Sequence, residues 1–432
     1  MRNMFVALLL VVLAQGAWAG PVRLDTAVSK PILAAGQKQT VYLKVGLTGV
    51  KPDKPGSRIP ANIAIVLDRS GSMSGVKLAA AREAAIDAIR RLSRDDIVSV
   101  VTYDDTVEVL VPATRLTDPE SVIAKVRQIG WGNSTALFAG VSKGSEELHK
   151  FMGRDRVSRM VLLSDGLANV GPSSPSDLQE LGTSLGREGI GVTTIGLGLD
   201  YNEDLMSKLA AASNGRHYFV REPAELARAF DKEFGDVMTI VAQEVRLEIK
   251  CADGVRPVRV LGRGGDVRGQ TVRLDLNQLY SDFERSAIFE LEVPAGEAKQ
   301  AREVASVMVD FSNMQTRARE KLSNSVGVRF TDSAAEADRS ENRDVMILVV
   351  EQIGAERNMM ATELRDKGEI DKARQLLLSN SAFLSDNAAR YKSEMLDQQN
   401  WLNKADAANL DPAKWQMQRK QMRQYQNKAT IK

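Results

Sequence analysis

Apolar segments alternate with amphipathic segments across residues 61–240, and this alternation restricts the fold more than any other feature of the sequence. The short apolar runs predict strands at residues 63–67, 97–103, 160–163, 192–197 and 217–220. The segments between them have helical periodicity, at residues 77–92, 119–129, 137–151, 176–185, 203–212 and 224–234. Such an order predicts a doubly wound α/β domain, in which helices cover both faces of a mostly parallel sheet.

The segments before and after residues 61–240 have different hydrophobic patterns. Residues 241–332 contain period-two runs separated by turn residues, and residues 20–60 contain two similar runs. We therefore expect a β-sandwich formed by both segments, with the α/β domain inserted into it. Residues 333–410 are predicted to be helical, with a tetratricopeptide-like hairpin around Gly368. Residues 411–432 are predicted to be a solvated basic tail, because the stretch from Lys414 to Lys432 carries six Lys or Arg and no acid, with weak contact to an anionic surface as the alternative.

The first nineteen residues have the pattern of a signal peptide. Arg2 precedes a ten-residue apolar run, and Ala17-Trp18-Ala19 offers a cleavage site after Ala19. We expect an exported protein, periplasmic or secreted, without a transmembrane segment in the mature chain. A net charge of +2 gives no reason to expect nucleic acid as a partner. The single cysteine, Cys251, lies in an alternating run and is expected to be a buried strand thiol.

A candidate metal site begins where the first strand of the α/β domain ends. Asp68, Ser70 and Ser72 place one carboxylate and two hydroxyls on the turn that leads into the first helix. Oxygen ligands of this kind suit a hard divalent cation such as Mg²⁺. The alternative for Asp68 alone is that it only caps the following helix. Ligands bind open α/β sheets beyond the carboxyl ends of the strands, and this turn lies at such an end.

Three segments give the site a family resemblance. The runs IAIVLDRSGSM, GNSTALFAG and VLLSDGLANVG, in this order, resemble the three site loops of a bacterial von Willebrand factor type A domain. The resemblance covers residues 61–240 and implies a metal-ion-dependent adhesion site. Its implied ligands are Asp68, Ser70, Ser72, Thr135 and Asp165. Many members have Gly-Gly before the threonine, where this chain has Asn133-Ser134, and we expect Thr135 rather than Ser134 to present the hydroxyl.

The resemblance also implies a function. It predicts a non-enzymatic binding module whose bound Mg²⁺ (Mn²⁺ or Ca²⁺ as substitutes) coordinates an Asp or Glu of a protein partner, in adhesion, envelope assembly or scaffolding. Some aspartate contacts are expected to run through water, with Ser164 or Asn133 as support. Related domains also shift their last helix, here residues 224–234, when the ligand binds.

Two alternatives stay open at this point. A metal-dependent hydrolase would use Asp104 or Asp105 as a base, although a turn is the simpler role for both. A structural envelope component would keep the site empty and bind through its helices. The two histidines, His149 and His217, are far apart in sequence and are expected to be structural. No zinc, nucleophile-elbow or phosphate-loop motif occurs.

Overall fold

The computed structural model describes residues 17–51, 59–153, 155–237 and 239–431. The predicted signal peptide therefore lies outside the described residues, apart from its last three. These form the short strand β1 (Ala17–Ala19), which pairs with the next strand. The remaining strands before the α/β domain are β2 (Val22–Val28), β3 (Ile32–Ala34) and β4 (Gln39–Gly49).

The α/β domain contains a six-stranded sheet, in the order β10-β9-β8-β5-β6-β7. Its elements are β5 (Ala61–Asp68), α1 (Val76–Arg91), β6 (Ile97–Tyr103), β7 (Val107–Arg115), α2 (Pro119–Arg127), α3 (Leu137–His149), β8 (Val157–Ser164), α4 (Pro175–Arg187), β9 (Gly191–Leu197), α5 (Glu203–Ala212), β10 (His217–Val220) and α6 (Leu226–Val237). All neighbouring strands are parallel except β6 and β7. The predicted mostly parallel α/β fold is confirmed. Strand β7 was not predicted; it is an edge strand in which all residues but one are half-exposed or exposed.

Strand β5 explains why helices cover both faces of this sheet. All eight of its residues are buried. Ile63, Ile65 and Leu67 pack in one core with α1, α2 and α6, while Ala64 and Val66 pack in a second core with α3, α4 and α5. The chain leaves β5 for β6 on one side and later returns to β8 on the other. The loops after β5 and β8 therefore diverge around a crevice at the carboxyl edge of the sheet.

A two-sheet sandwich follows the α/β domain. Its strands are β11 (Ile240–Cys251), β12 (Arg256–Val260), β13 (Asp266–Arg268), β14 (Thr271–Tyr280), β15 (Glu284–Val293), β16 (Ala301–Asn313) and β17 (Arg319–Thr331). One sheet has the order β1-β2-β4-β15-β12, and the other has the order β13-β14-β11-β16-β17-β3. The N-terminal strands thus pair with strands from beyond the α/β domain. Cys251 is buried in the core between the two sheets.

Five helices complete the described chain, which confirms the predicted C-terminal helical region. They are α7 (Ala334–Arg339), α8 (Arg343–Asp366), α9 (Ile370–Tyr391), α10 (Glu394–Ala408) and α11 (Pro412–Ile431). Gly368 has a φ of 83° in the turn between α8 and α9, a conformation that glycine adopts without strain. Among the described helices, none combines the length and the apolar character that crossing a membrane requires.

The expectation of a solvated basic tail after residue 410 is wrong, because these residues form α11. This helix packs against α5 and β10 of the α/β domain. Lys420 is only 1% exposed, and its Nζ donates a hydrogen bond of 2.7 Å to the Tyr201 carbonyl. Arg419 forms ion pairs with Glu203 and Asp366. The stretch from Lys414 onward has no acid of its own, but acids from α5 and α8 form ion pairs with its basic side chains.

Candidate metal centre

Two site loops, after β5 and before α3, are joined by backbone hydrogen bonds. The Gly71 amide donates to the Asn133 carbonyl at 2.9 Å, and the Gly132 amide donates to the Arg69 carbonyl at 2.6 Å. The third loop, after β8, is joined to the second, because the Thr135 amide donates to Asn169 Oδ1 at 2.8 Å. The three loops that carry the predicted ligands therefore form one connected surface at the carboxyl edge of the sheet.

Three hydroxyls converge beside Gly166. Ser70 Oγ and Ser72 Oγ are 3.2 Å apart. A Cβ atom built on Gly166 would lie 3.2 Å from Ser72 Oγ, 3.3 Å from Thr135 Oγ1 and 3.8 Å from Ser70 Oγ. The structure thus places the Thr135 hydroxyl in this group, as the sequence analysis expected. The lack of a side chain at position 166 keeps the space between the hydroxyls open.

Asp68 lies under the hydroxyls and is fully buried. Its Oδ1 accepts a hydrogen bond of 2.8 Å from the Ser70 amide, and its Oδ2 accepts one of 2.7 Å from Ser164 Oγ. Burial raises the pKa of Asp68 to about 6, although these hydrogen bonds favour the carboxylate. Ser164 therefore has the supporting position that the sequence analysis considered for it. Asn133 contributes its backbone carbonyl to the loop.

Asp165 is the second buried carboxylate of the site. Its Oδ1 accepts a hydrogen bond of 2.6 Å from Ser72 Oγ, so it is in direct contact with the hydroxyl group. Its Oδ2 is 2.6 Å from the Lys77 ammonium, which comes from the first turn of α1. The contact of Lys77 with the site was not predicted from the sequence, although Lys77 is only the second residue of the helix that follows the first loop.

The residues fit a hard divalent cation. Two carboxylates and three neutral hydroxyls provide only oxygen ligands, which is the donor chemistry that Mg²⁺ prefers. The space beside Gly166 brings the Ser70, Ser72 and Thr135 hydroxyls within reach of one point. All five predicted ligands, Asp68, Ser70, Ser72, Thr135 and Asp165, meet in these three loops.

Of the two candidate bases near this site, Asp104 is engaged in structural contacts. Asp104 Oδ1 accepts hydrogen bonds of 2.8 Å from the backbone and the side chain of Thr106, and its Oδ2 is 3.2 Å from Arg69. Burial raises the pKa of Asp104, but the Thr106 hydrogen bonds and the Arg69 guanidinium outweigh it and leave the pKa below its ordinary value. Asp105 is exposed in the same turn.

The two histidines are also separate from the site loops. His149 Nε2 lies 2.5 Å from Glu188 Oε2 near the surface. His217 is buried in β10, between Thr194 and Tyr201.

Large apolar side chains are exposed around the site, one from each loop. Val76 is 75% exposed at the end of the first loop, Trp131 is 66% exposed in the second, and Leu167 is 60% exposed in the third. We call these three residues the apolar rim. Contiguous exposed apolar surface is typical of sites that bind other molecules, and these three residues, each in or next to a site loop, are the candidates for such a surface here.

Comparison with known proteins bears on the α/β domain as a whole. Residues 62–232 match the model of the von Willebrand factor type A domain. An uncharacterized protein of Synechocystis sp. is 28% identical over 202 residues, which are 47% of this chain and 47% of that protein. The chain covers about half or less of the length of the first two curated relatives, since the second, from Escherichia coli, is covered for 38%.

Two solved structures resemble most of the chain. A von Willebrand factor type A protein from Catenulispora acidiphila superposes with a TM-score of 0.70 at 18% identity, covering 86% of this chain and 88% of that one. The ArnB paralog VWA2 from Sulfolobus acidocaldarius superposes with a TM-score of 0.66 at 16% identity, covering 96% of this chain and 100% of that one. At these identities the two structures bear on the fold alone.

Proposed function

Since residues 62–232 form a von Willebrand factor type A domain, we propose that this chain is a metal-dependent protein-binding module. Asp68, Ser70, Ser72, Thr135 and Asp165 would hold Mg²⁺, or Mn²⁺ or Ca²⁺ in its place. The partner would present an Asp or Glu side chain to the site. Domains of this type commonly mediate protein–protein interaction, and the proposal assigns that role to the crevice at the carboxyl edge of the sheet.

The convergence of the hydroxyls of Ser70, Ser72 and Thr135 beside Gly166 carries this proposal. Neutral hydroxyls fill coordination positions without adding negative charge, so a bound divalent cation keeps an electrophilic position for an outside ligand. Asp68 and Asp165 bring two negative charges, and Lys77 brings one positive charge. With a divalent cation the site is left with one net positive charge, which favours an anionic group on the partner.

The apolar rim supports a protein partner. Val76, Trp131 and Leu167 surround the site with exposed apolar area that a free carboxylate or a small anion would leave uncovered. A protein surface would cover it while placing an acidic side chain over the metal. Tryptophan is enriched among the residues that contribute most to binding at protein interfaces, and Trp131 is an exposed tryptophan in the second site loop.

The cellular location of the protein is part of the same proposal. Residues 1–19 have the pattern of a cleavable signal peptide, so we place the mature protein in the periplasm or outside the cell. Adhesion, envelope assembly and scaffolding all fit a module of this kind. The family resemblance implies that helix α6 would shift when the ligand binds; α6 packs against α1, which carries Lys77 at the site. Hydrogen exchange of α6 with and without the bound partner tests that shift.

The experiment compares capture of envelope proteins under four conditions. Wild-type protein is immobilised with Mg²⁺ and with a chelator, next to Asp165→Ala and a matched control, Asp253→Asn, which changes an exposed turn of the sandwich. We expect the same partner to be retained by wild type and Asp253→Asn with Mg²⁺. Chelator and Asp165→Ala should both release it. Equal retention in all four conditions would refute metal-bridged binding.

A further inference from the structure

A second candidate site lies where three parts of the molecule meet. A cavity of about 400 Å³ opens between β10 and α6 of the α/β domain, the sandwich strands β14 and β15, and the end of α11. We call it the junction cavity. Its volume lies within the range of small-molecule sites in proteins. It is formed on the opposite edge strand of the sheet from β7 and shares no lining residue with the metal centre.

The lining of the junction cavity is strongly basic. Arg216, Lys232, Arg285 and Lys428 all line it, and none of its described lining residues is an Asp or Glu. His217 also lines it, but burial lowers the pKa of His217 to about 3, so the ring is neutral at physiological pH. Four cations around one concave space create a positive potential that attracts an anion.

The carboxylate of the neighbouring residue Glu233 is committed elsewhere. Glu233 Oε1 is 2.8 Å from Arg159 Nε, and the two side chains are 0% and 1% exposed. Arg159 also donates a hydrogen bond to the Tyr280 hydroxyl behind the cavity. Glu233 also attracts Arg216 and Lys232, but because Arg159 balances its charge, the lining and this pair together keep a net positive charge.

Arg285 is a buried arginine of the lining in which only one of the three guanidinium nitrogens has hydrogen-bond partners among the described residues. It is 3% exposed, and its Nη1 donates to the carbonyls of Leu276 and Gln278. Its Nε and Nη2 have no hydrogen-bond partner among the described residues. Burial, together with the positive charges of Arg159 and Arg216, lowers the pKa of Arg285 to about 10, which still leaves it charged. Burying charged donors without partners is unfavourable, and an oxyanion in the cavity would relieve it.

An amide and an aromatic wall add to the lining. Asn427 Nδ2 has no partner among the described residues, while its Oδ1 accepts a hydrogen bond of 2.9 Å from the His217 amide. The rings of Tyr280 and Phe283 meet edge to face at a centroid distance of 6.4 Å. The cavity therefore offers donors for an oxyanion and aromatic surface for an apolar group.

We propose that the junction cavity binds a small phosphate monoester with an aromatic or apolar group. Its phosphate would contact Arg285 and the lysines at the opening, because guanidinium groups bind phosphate oxygens with short, charge-assisted hydrogen bonds. Its apolar group would lie against Tyr280 and Phe283. Such a ligand would connect the α/β domain, the sandwich and α11. This site is independent of the metal centre and of the function proposed for it.

Calorimetric titration of the full chain tests this site, with phenyl phosphate, inorganic phosphate and phenol as probes. We expect one molecule of phenyl phosphate to bind, inorganic phosphate to bind at least several-fold more weakly, and phenol to give no signal. The double variant Lys232→Gln/Lys428→Gln should weaken phenyl phosphate binding about tenfold or more, because two charged contacts are lost. Both lysines are exposed, so this variant should fold. Lys404→Gln, an exposed substitution on α10, is the matched control.

Arg285→Met should abolish binding of phenyl phosphate. Because Arg285 is buried, far-ultraviolet circular dichroism is used to check that this variant folds. Phenyl phosphate should bind equally well with Mg²⁺ and with a chelator, since the metal centre is separate. No binding of phenyl phosphate at millimolar concentration would overturn the proposal. Unchanged binding in the double lysine variant would also overturn it. Equal affinity for inorganic phosphate would overturn the assignment of Tyr280 and Phe283 as the wall for the apolar group.

Discussion

At the scale of single residues, Lys77 is the side chain that most alters the expected behaviour of the metal centre. Its ammonium lies 2.6 Å from Asp165 Oδ2 and already neutralises part of the charge that a cation would meet. A divalent ion must therefore bind next to a fixed positive charge. The two charges repel each other, so Lys77 should keep the metal affinity below the value that the five ligands alone would give.

Replacing Lys77 with methionine should tighten metal binding. Methionine keeps most of the length and apolar volume of the side chain but removes its charge. We expect the Kd for Mg²⁺ to fall about tenfold, because unit charges a few ångströms apart near a protein surface interact by about 1–4 kcal/mol. Isothermal titration calorimetry measures the effect, with Lys125→Met on α2 as a control. Weaker Mg²⁺ binding in Lys77→Met would instead mean that Lys77 organises Asp165 for the metal.

His217 should make stability depend on pH. Burial lowers its pKa to about 3 in the folded protein, whereas an unfolded chain protonates histidine near pH 6.5. Between these values the unfolded state binds the extra proton, so stability is present above pH 6.5 and is lost as the pH falls. The contribution is about 1.4 kcal/mol per pH unit within that window.

The measurement is urea unfolding of wild type and His217→Gln at pH 7, 6, 5 and 4. Wild type should lose stability more steeply than the variant below pH 6.5. Asp68 and Asp406, whose pKa values burial raises to about 6, act in the opposite direction but are present in both proteins. Parallel stability curves for the two proteins would contradict the assignment to His217.

At the scale of elements, α11 differs most from what the sequence alone predicted. Its Gln424 and Asn427 side chains accept hydrogen bonds from the Phe219 and His217 amides of β10, the edge strand of the α/β sheet. An uncovered edge strand is a template for pairing with other chains. The helix thus protects an edge of the domain that carries the metal centre.

Arg419 should be the main electrostatic anchor of α11. It is 16% exposed and forms ion pairs with Glu203, Asp204 and Asp366. Arg419→Ala should lower the free energy of unfolding by about 3 kcal/mol, because it leaves partly buried carboxylates without their partner. Hydrogen exchange of the His217 and Phe219 amides should also become faster. The exposed control Lys414→Ala should change neither quantity, and equal effects of the two substitutions would contradict an anchoring role for Arg419.

The elements also show what sequence patterns can and cannot predict. The parallel strands were predicted because a strand buried on both faces is a continuous apolar run, as in β5. Strand β7 was missed because it lies at the edge of the sheet with all residues but one half-exposed or exposed, so it does not show a continuous apolar run. Helix α11 was taken for a tail because its partners Glu203 and Asp366 are far away in sequence.

At the scale of the whole molecule, the α/β domain interrupts the chain between two parts of one sandwich. Strand β4 pairs with β15 over ten residues, from Gln39 with Val293 to Thr48 with Glu284. The sandwich has its own core, although Ile240 of β11 and Tyr280 of β14 pack in one of the two cores of the α/β domain. The sequence could bring the five candidate ligands together because they come from loops inside one domain. The contact of Lys77 with Asp165 depends on the direction of a side chain, and the junction cavity depends on contacts between domains, which no local pattern contains.

A core substitution in the sandwich should therefore leave the metal centre intact. Leu43 in β4 is fully buried, and Leu43→Ala should cost about 2–5 kcal/mol of sandwich stability. The Kd for Mg²⁺ should stay within about twofold of wild type under conditions where the chain is folded. Thermal unfolding and calorimetry measure the two quantities, with the exposed Met308→Ala in β16 as the control. A large loss of Mg²⁺ affinity in folded Leu43→Ala would show that the two domains are coupled.

The most direct test of the central claim is the anomalous scattering of crystals grown with Mn²⁺. We expect one strong peak beside Gly166. The Ser70 and Ser72 hydroxyl oxygens should lie roughly 2.1 Å from it, close to the distance at which Mg²⁺ binds oxygen ligands. The peak should be absent in Asp165→Ala crystals grown in the same way. No peak at this position in wild type at saturating Mn²⁺, or an equal peak in Asp165→Ala, would contradict the metal centre and with it the proposed mode of binding.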